Sequence, residues 1–156
     1  MKKISTAILA CSMALATASV MAETAKSEKQ AKRSTDLRQS IFSLLGSNMG
    51  ALGAMAKGKI PLDANVVEKN ATRINQLSLM IDDYTRVNTT SFNVKTEALD
   101  SVWSERSKFE KHINDLTMAS ANLQKVAMSG DENTIKKAIG GVGKTCGGCH
   151  DSFKKD

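Results

Sequence analysis

Proline occurs once in this chain of 156 residues, aromatic side chains make up 4 %, and there are only three cysteines and two histidines. Each shortage excludes something. With so few aromatics and no basic cluster interleaved with them, a nucleic-acid surface is not expected, although the formal charge is +6. The one long apolar run lies at the start, is short, and is followed by polar sequence without a stop-transfer pattern, so no membrane span is expected. No Ser or Cys nucleophile paired with a base, no carboxylate pair and no phosphate-binding loop stands out, and the chain does not read as an enzyme.

The opening MKKISTAILACSMALATASVMA combines two lysines, an apolar stretch and the small-residue pattern of a cleavage site at Val20-Met21-Ala22. Residues 1–22 therefore read as a secretory signal peptide cleaved after Ala22, and residues 23–156 as one exported domain, periplasmic in location. Cys11 leaves with the leader. Only Cys146 and Cys149 remain, which rules out a four-thiolate zinc site within one chain, and His112, the one other histidine beside His150, lies in an unrelated helical pattern.

Apolar residues recur at helical spacing almost throughout, and no strand-like run competes with them. A first helix is expected over 35–57 with Leu37, Ile41, Leu44, Leu45, Met49, Leu52 and Met55 inward, ended by Gly58 and Pro61. A second is expected over 64–84 behind an Asp63 cap, using Val67, Ala71, Ile74, Leu77, Met80, Ile81 and Tyr84. The polar stretch after it is the longest connection; its Asn88-Thr89-Thr90 matches a glycosylation sequon that is common by chance and carries no weight. Asp100 or Ser101 would cap a third helix, from Val102 and Trp103 through Phe109, Ile113, Leu116, Leu123 and Val126 to Met128. Gly130 closes it, and Asp131 caps a fourth carrying Ile135, Ala138, Ile139, Val142, Cys146, Cys149, His150 and Phe153. Four helices of similar length with mostly short connections predict an all-α antiparallel up-down bundle.

The fourth helix carries the chemistry. Its end, "KTCGGCHDSFKKD", puts Cys146, Cys149 and His150 at i, i+3 and i+4, on one helical face. Cys-x-x-Cys-His is the pattern of covalent haem attachment, in which two thiols add to the two vinyl groups and the histidine binds the iron. A redox dithiol instead needs a helix N-terminus after a strand, whose dipole lowers a thiol pKa. Gly140, Gly141, Gly143, Gly147 and Gly148 each cost the helix up to about 1 kcal/mol relative to alanine. Burying a haem offsets this with gross stabilisation on the order of 10 kcal/mol at about 25 cal/mol per Å².

A haem motif at the C-terminal end of a four-helix chain resembles the cytochrome c′ family, the class II c-type cytochromes. Three segments carry the resemblance: "LRQSIFSLL" at 37–45, "VWSERSKF" at 102–109 and "GGVGKTCGGCHDSFKK" near the end. The resemblance implies one haem c per chain held by Cys146 and Cys149, with His150 as the axial iron ligand. It places Arg38 near a propionate, which suits a guanidinium, adds Gln39 and Trp103 to the haem contacts, and puts Lys154 beside the proximal pocket where the family often has arginine. The residue on the distal face falls at Phe42. Six-coordinate electron carriers of the cytochrome c556 type have a methionine there; a phenyl cannot ligate iron.

The implied function is a five-coordinate, high-spin haem protein that binds nitric oxide and carbon monoxide and undergoes one-electron redox, with nitric oxide able to displace His150. Met49, seven residues beyond Phe42, is the competing candidate for a sixth ligand. The resemblance also implies a homodimer through the first two helices, where Ile60, Leu62 and Leu79 are spare apolar residues, and a redox partner protein of unknown identity.

Overall fold

The computed structural model describes residues 23–155; the leader expected at 1–22 lies outside them. The order is β1 (Glu23–Thr24), α1 (Glu28–Ala56), α2 (Ala64–Thr85), β2 (Val87–Asn88), α3 (Ser101–Ser104), α4 (Arg106–Ala127) and α5 (Glu132–Phe153). The four long helices form a bundle in which α1 adjoins α2 and α5, and α4 adjoins the same two. Among the described residues no helix is long and apolar enough to cross a membrane.

Local chemistry sets the helix limits. The Asp63 side chain accepts from the amides of Asn65 and Val66, and that of Asp131 from the amide of Thr134, so both expected caps are present. Gly58 and Gly130 take positive φ of 68° and 72° at helix ends, a conformation that glycine adopts without a Cβ penalty. The core runs through Leu52, Val67, Ile74, Leu123, Ile135, Ile139 and Val142, all fully buried. Small polar residues let α2 and α4 approach closely: Asn75 donates to the Thr117 carbonyl at 2.9 Å, and Ser78 bonds the Thr117 hydroxyl at 2.7 Å.

Four expectations need correction. The first helix begins at Glu28, not Thr35: Ser27 caps it, and its opening turns bury Ala31 and Thr35, residues too small or polar to register as an apolar pattern. Leu37 and Leu44 are 42 % and 53 % exposed, since each lies off the Ile41–Leu45–Leu52 stripe, where one residue turns about 100° around the axis. Met80, next to buried Ile81, is exposed for the same reason. The third helix is broken at Glu105 (φ −114°, ψ 44°), and Asp100 makes no side-chain cap. The break turns both Trp103 and Arg106 toward the end of α2, where each donates to the Thr85 carbonyl, and Arg106 also pairs with Asp82.

Two short segments were not expected as strands. Glu23 and Thr24 pair in parallel with Val87 and Asn88, and the Ala25 amide donates to the Asn88 carbonyl at 2.9 Å. The Asn88 side chain is used in a local turn, accepting from the amide and hydroxyl of Thr90.

Candidate haem site

Of the adjacent helix pairs, α1 and α5 pack least closely, and a cavity of about 700 Å³ opens between them and reaches across to α4. Its size falls in the roughly 300–1,000 Å³ range of ligand pockets. Phe42, Met49, Cys146, Cys149 and His150 all line it. Both long walls are glycine-rich, with Gly46, Gly50 and Gly53 on α1 and Gly140 and Gly143 on α5. A Cβ added at Gly46, Gly50, Gly53 or Gly140 would meet no atom within 4 Å. Protein packing therefore does not require these glycines; the space they leave is a slot for a flat group.

The register across this slot is fixed at two places. The Met49 methyl lies 3.7 Å from where a Cβ of Gly143 would sit, so those residues are level across the antiparallel helices. At the other end Arg38 bonds Thr96, and Ala98 bridges to Lys154. Moving seven residues back along α1 from Met49 and seven forward along α5 from Gly143 arrives at Phe42 and His150. These two are level with each other, about 10 Å along the axis from Met49.

The thiols are not built for redox exchange. Burial pushes Cys146 above the usual thiol range, and burial together with the neighbouring Cys146 pushes Cys149 up to about 11. Both lie in the C-terminal half of α5, far from the positive end of its dipole. Among the described residues no group of three or more His, Cys, Asp or Glu side chains is gathered closely enough to hold a metal ion. Two half-buried thiols and an exposed histidine on one face of an apolar slot do suit covalent haem.

The other predicted residues lie outside the cavity lining. Arg38 is 3 % exposed, donates to Thr35 at 3.3 Å and Thr96 at 3.0 Å, and stacks its guanidinium 5.1 Å from the Trp103 ring. Burial lowers its pKa from the ordinary value, and its Nη1 is buried without a partner, a donor that a carboxylate would satisfy. Trp103 is thus tied to Arg38 and to the Thr85 carbonyl. Gln39 donates to the Lys95 carbonyl at 3.0 Å, and Lys154 pairs with Glu97 at 2.9 Å.

Two contributors were missed in the sequence. His112 lines the cavity from α4, one turn after Phe109, with its ring 5.6 Å edge-on to Phe153. Its place on the Phe109–Ile113–Leu116 stripe was readable, but apolar periodicity does not flag a histidine. The recurrence of Gly46, Gly50 and Gly53 on one face of the first helix was also a signal, since glycine is costly in a helix interior.

The family model described as Cytochrome C' matches residues 33–154. A cytochrome c′ of Rubrivivax gelatinosus is 34 % identical over 126 residues, covering 77 % of this chain and 92 % of that protein. The solved cytochrome c prime of Shewanella frigidimarina superposes with a TM-score of 0.74 at 35 % identity, covering 83 % of this chain and all of that one. A ferrous variant of cytochrome c prime from Alcaligenes xylosoxidans with bound NO superposes at 0.71 and 26 % identity, covering 81 % of this chain and 96 % of that one. On the family match and this breadth of coverage, the chain belongs to the cytochrome c′ family of c-type haem proteins.

Proposed function

We propose that the protein is a periplasmic haem protein with a five-coordinate, high-spin iron that binds nitric oxide and carbon monoxide and exchanges single electrons. Cys146 and Cys149 would hold the haem through thioether bonds, His150 would ligate the iron, and the unpartnered Nη1 of Arg38 would meet a propionate. The bound haem supplies an iron able to take diatomic ligands and one electron. Binding and electron transfer, rather than substrate turnover, are its activity. The observation that carries the reading is the helix register, which sets Phe42 level with His150 on the facing wall. A phenyl offers neither an iron ligand nor a hydrogen-bond donor to bound dioxygen, so the distal side favours ligands that do without one. The relative with bound NO supports gas binding here. Exposed Leu37, Leu44 and Ile60, with Leu79 at 64 % exposure, support a homodimer through α1 and α2.

A second reading rests on Met49, which also lines the cavity. It makes the protein a six-coordinate, low-spin electron carrier of the cytochrome c556 type. Met49 is two turns from the level of His150, so the haem would have to sit about 10 Å along the slot or tilt toward it. An optical spectrum of the purified protein separates the two. High-spin bands that shift on adding nitric oxide support the first; a low-spin spectrum with a methionine-to-iron charge-transfer band supports the second.

A further inference from the structure

His150 lies in the last turn of α5, and a helix end leaves its final carbonyls without partners inside the helix. Here the His150 carbonyl accepts from the Lys154 amide at 3.0 Å, and the last two, of Ser152 and Phe153, are taken up by one segment, 95–101. The Leu99 amide donates to the Phe153 carbonyl at 2.9 Å, and the Ser101 hydroxyl to the Ser152 carbonyl at 2.9 Å. In return the Lys155 amide donates to the Glu97 carbonyl at 2.7 Å, and Lys154 and Glu97 pair through their side chains. That ion pair is exposed on both sides and contributes little by itself. The other edge of the segment is fastened to α1, where Gln39 bonds the Lys95 carbonyl and the buried Arg38 bonds Thr96. Thr96 is the junction, because its hydroxyl accepts from both Arg38 and the Ala98 amide.

We propose that residues 95–101 are a strap that sets how firmly His150 stays on the iron, with Thr96 and Ser101 as its positioning residues. The proposal rests on the reading that His150 is the axial ligand. Release breaks one bond, between the imidazole nitrogen and the iron; the lone pair stays on nitrogen, and no electron or proton moves. For His150 to swing away, the last turn of α5 must shift or fray. Each strap bond to Ser152, Phe153 or Lys155 holds that turn against doing so. Because the strap is also pinned to α1 only one turn before Phe42, the wall facing the iron and the turn carrying its ligand share one hydrogen-bonded support.

The test compares the haem-loaded protein with Thr96→Val, which keeps side-chain shape but removes the shared acceptor, and Ser101→Ala, which loosens the strap without touching Arg38. Both variants should exchange the amides of residues 150–155 faster, by about fivefold for one lost hydrogen bond. Both should lower the iron–histidine stretching frequency of the ferrous protein in resonance Raman spectra, and both should lose His150 faster on adding nitric oxide. Unchanged amide exchange, or faster exchange with an unmoved stretching band, overturns the strap. A band shift in Thr96→Val alone also overturns it, because the effect then runs through Arg38 and the haem instead. A protein that ignores nitric oxide would sink the gas-binding reading, and the amide exchange of residues 150–155 would still decide the strap.

Discussion

Gly46 offers a substitution whose effect should change sign with the haem. It lies in the interior of α1, lines the cavity level with Cys146, and has no atom within 4 Å of an added Cβ. In the haem-free chain Gly46→Ala should therefore add about 1 kcal/mol of helix stability with no steric penalty. For a domain of this size that raises the thermal midpoint by roughly 3 °C. Gly46→Leu should keep most of that gain without haem, yet fill the slot just where the ring must lie against the helix. Its haem-to-protein ratio, read from the absorbance of the denatured haemochrome, should drop several-fold, while Gly46→Ala falls between it and the wild type. Circular dichroism melts of the haem-free forms supply the other half of the comparison. If Gly46→Leu loads haem as well as the wild type, the glycine wall is not a haem wall. If Gly46→Ala destabilises the haem-free chain, the space beside it is not free.

Three further outcomes follow from the same geometry. Phe42→Met should convert the spectrum toward low spin, and an unchanged spectrum would place residue 42 away from the iron. In the haem-free protein, alkylation of Cys149 should be slow at pH 8 and speed up about tenfold per pH unit toward its pKa of about 11, since burial and Cys146 favour the neutral thiol; a rate already at its plateau at pH 8 would contradict this. Leu79→Glu, on the exposed face of α2, should shift sedimentation toward the monomer with the haem spectrum unchanged, and an unaltered sedimentation coefficient would remove that face from the interface.

The bundle was legible in the sequence because its signals are local. Apolar spacing, the Asp63 and Asp131 caps and the Gly58 and Gly130 stops each act within a turn or two, and each has its expected partner or dihedral. What was not legible depends on distant partners. The start of α1 is stabilised through small and polar side chains, and the break at Glu105 serves contacts of Trp103 and Arg106 with Thr85, about twenty residues earlier. Leu37 and Leu44 show a further limit, because one helix presents more apolar faces than its own bundle covers. At the site, the motif of Cys146, Cys149 and His150 was readable from spacing alone. The partners of Arg38, Gln39 and Lys154 were not, because the strap that takes up all three is a loop with no periodic pattern. The resemblance carried by the Arg38 segment already points to Phe42 rather than Met49 as the residue opposite His150; helical periodicity alone does not distinguish them, and the Met49 methyl beside Gly143 gives the cross-helix register that apolar spacing lacks.

The state of the iron is therefore the central measurement. An absorption spectrum of the ferric and ferrous protein, recorded before and after adding nitric oxide, should show high-spin bands in both oxidation states and a new set of bands with the gas. A low-spin ferric spectrum with a methionine-to-iron charge-transfer band, unmoved by nitric oxide, would contradict an open site facing Phe42.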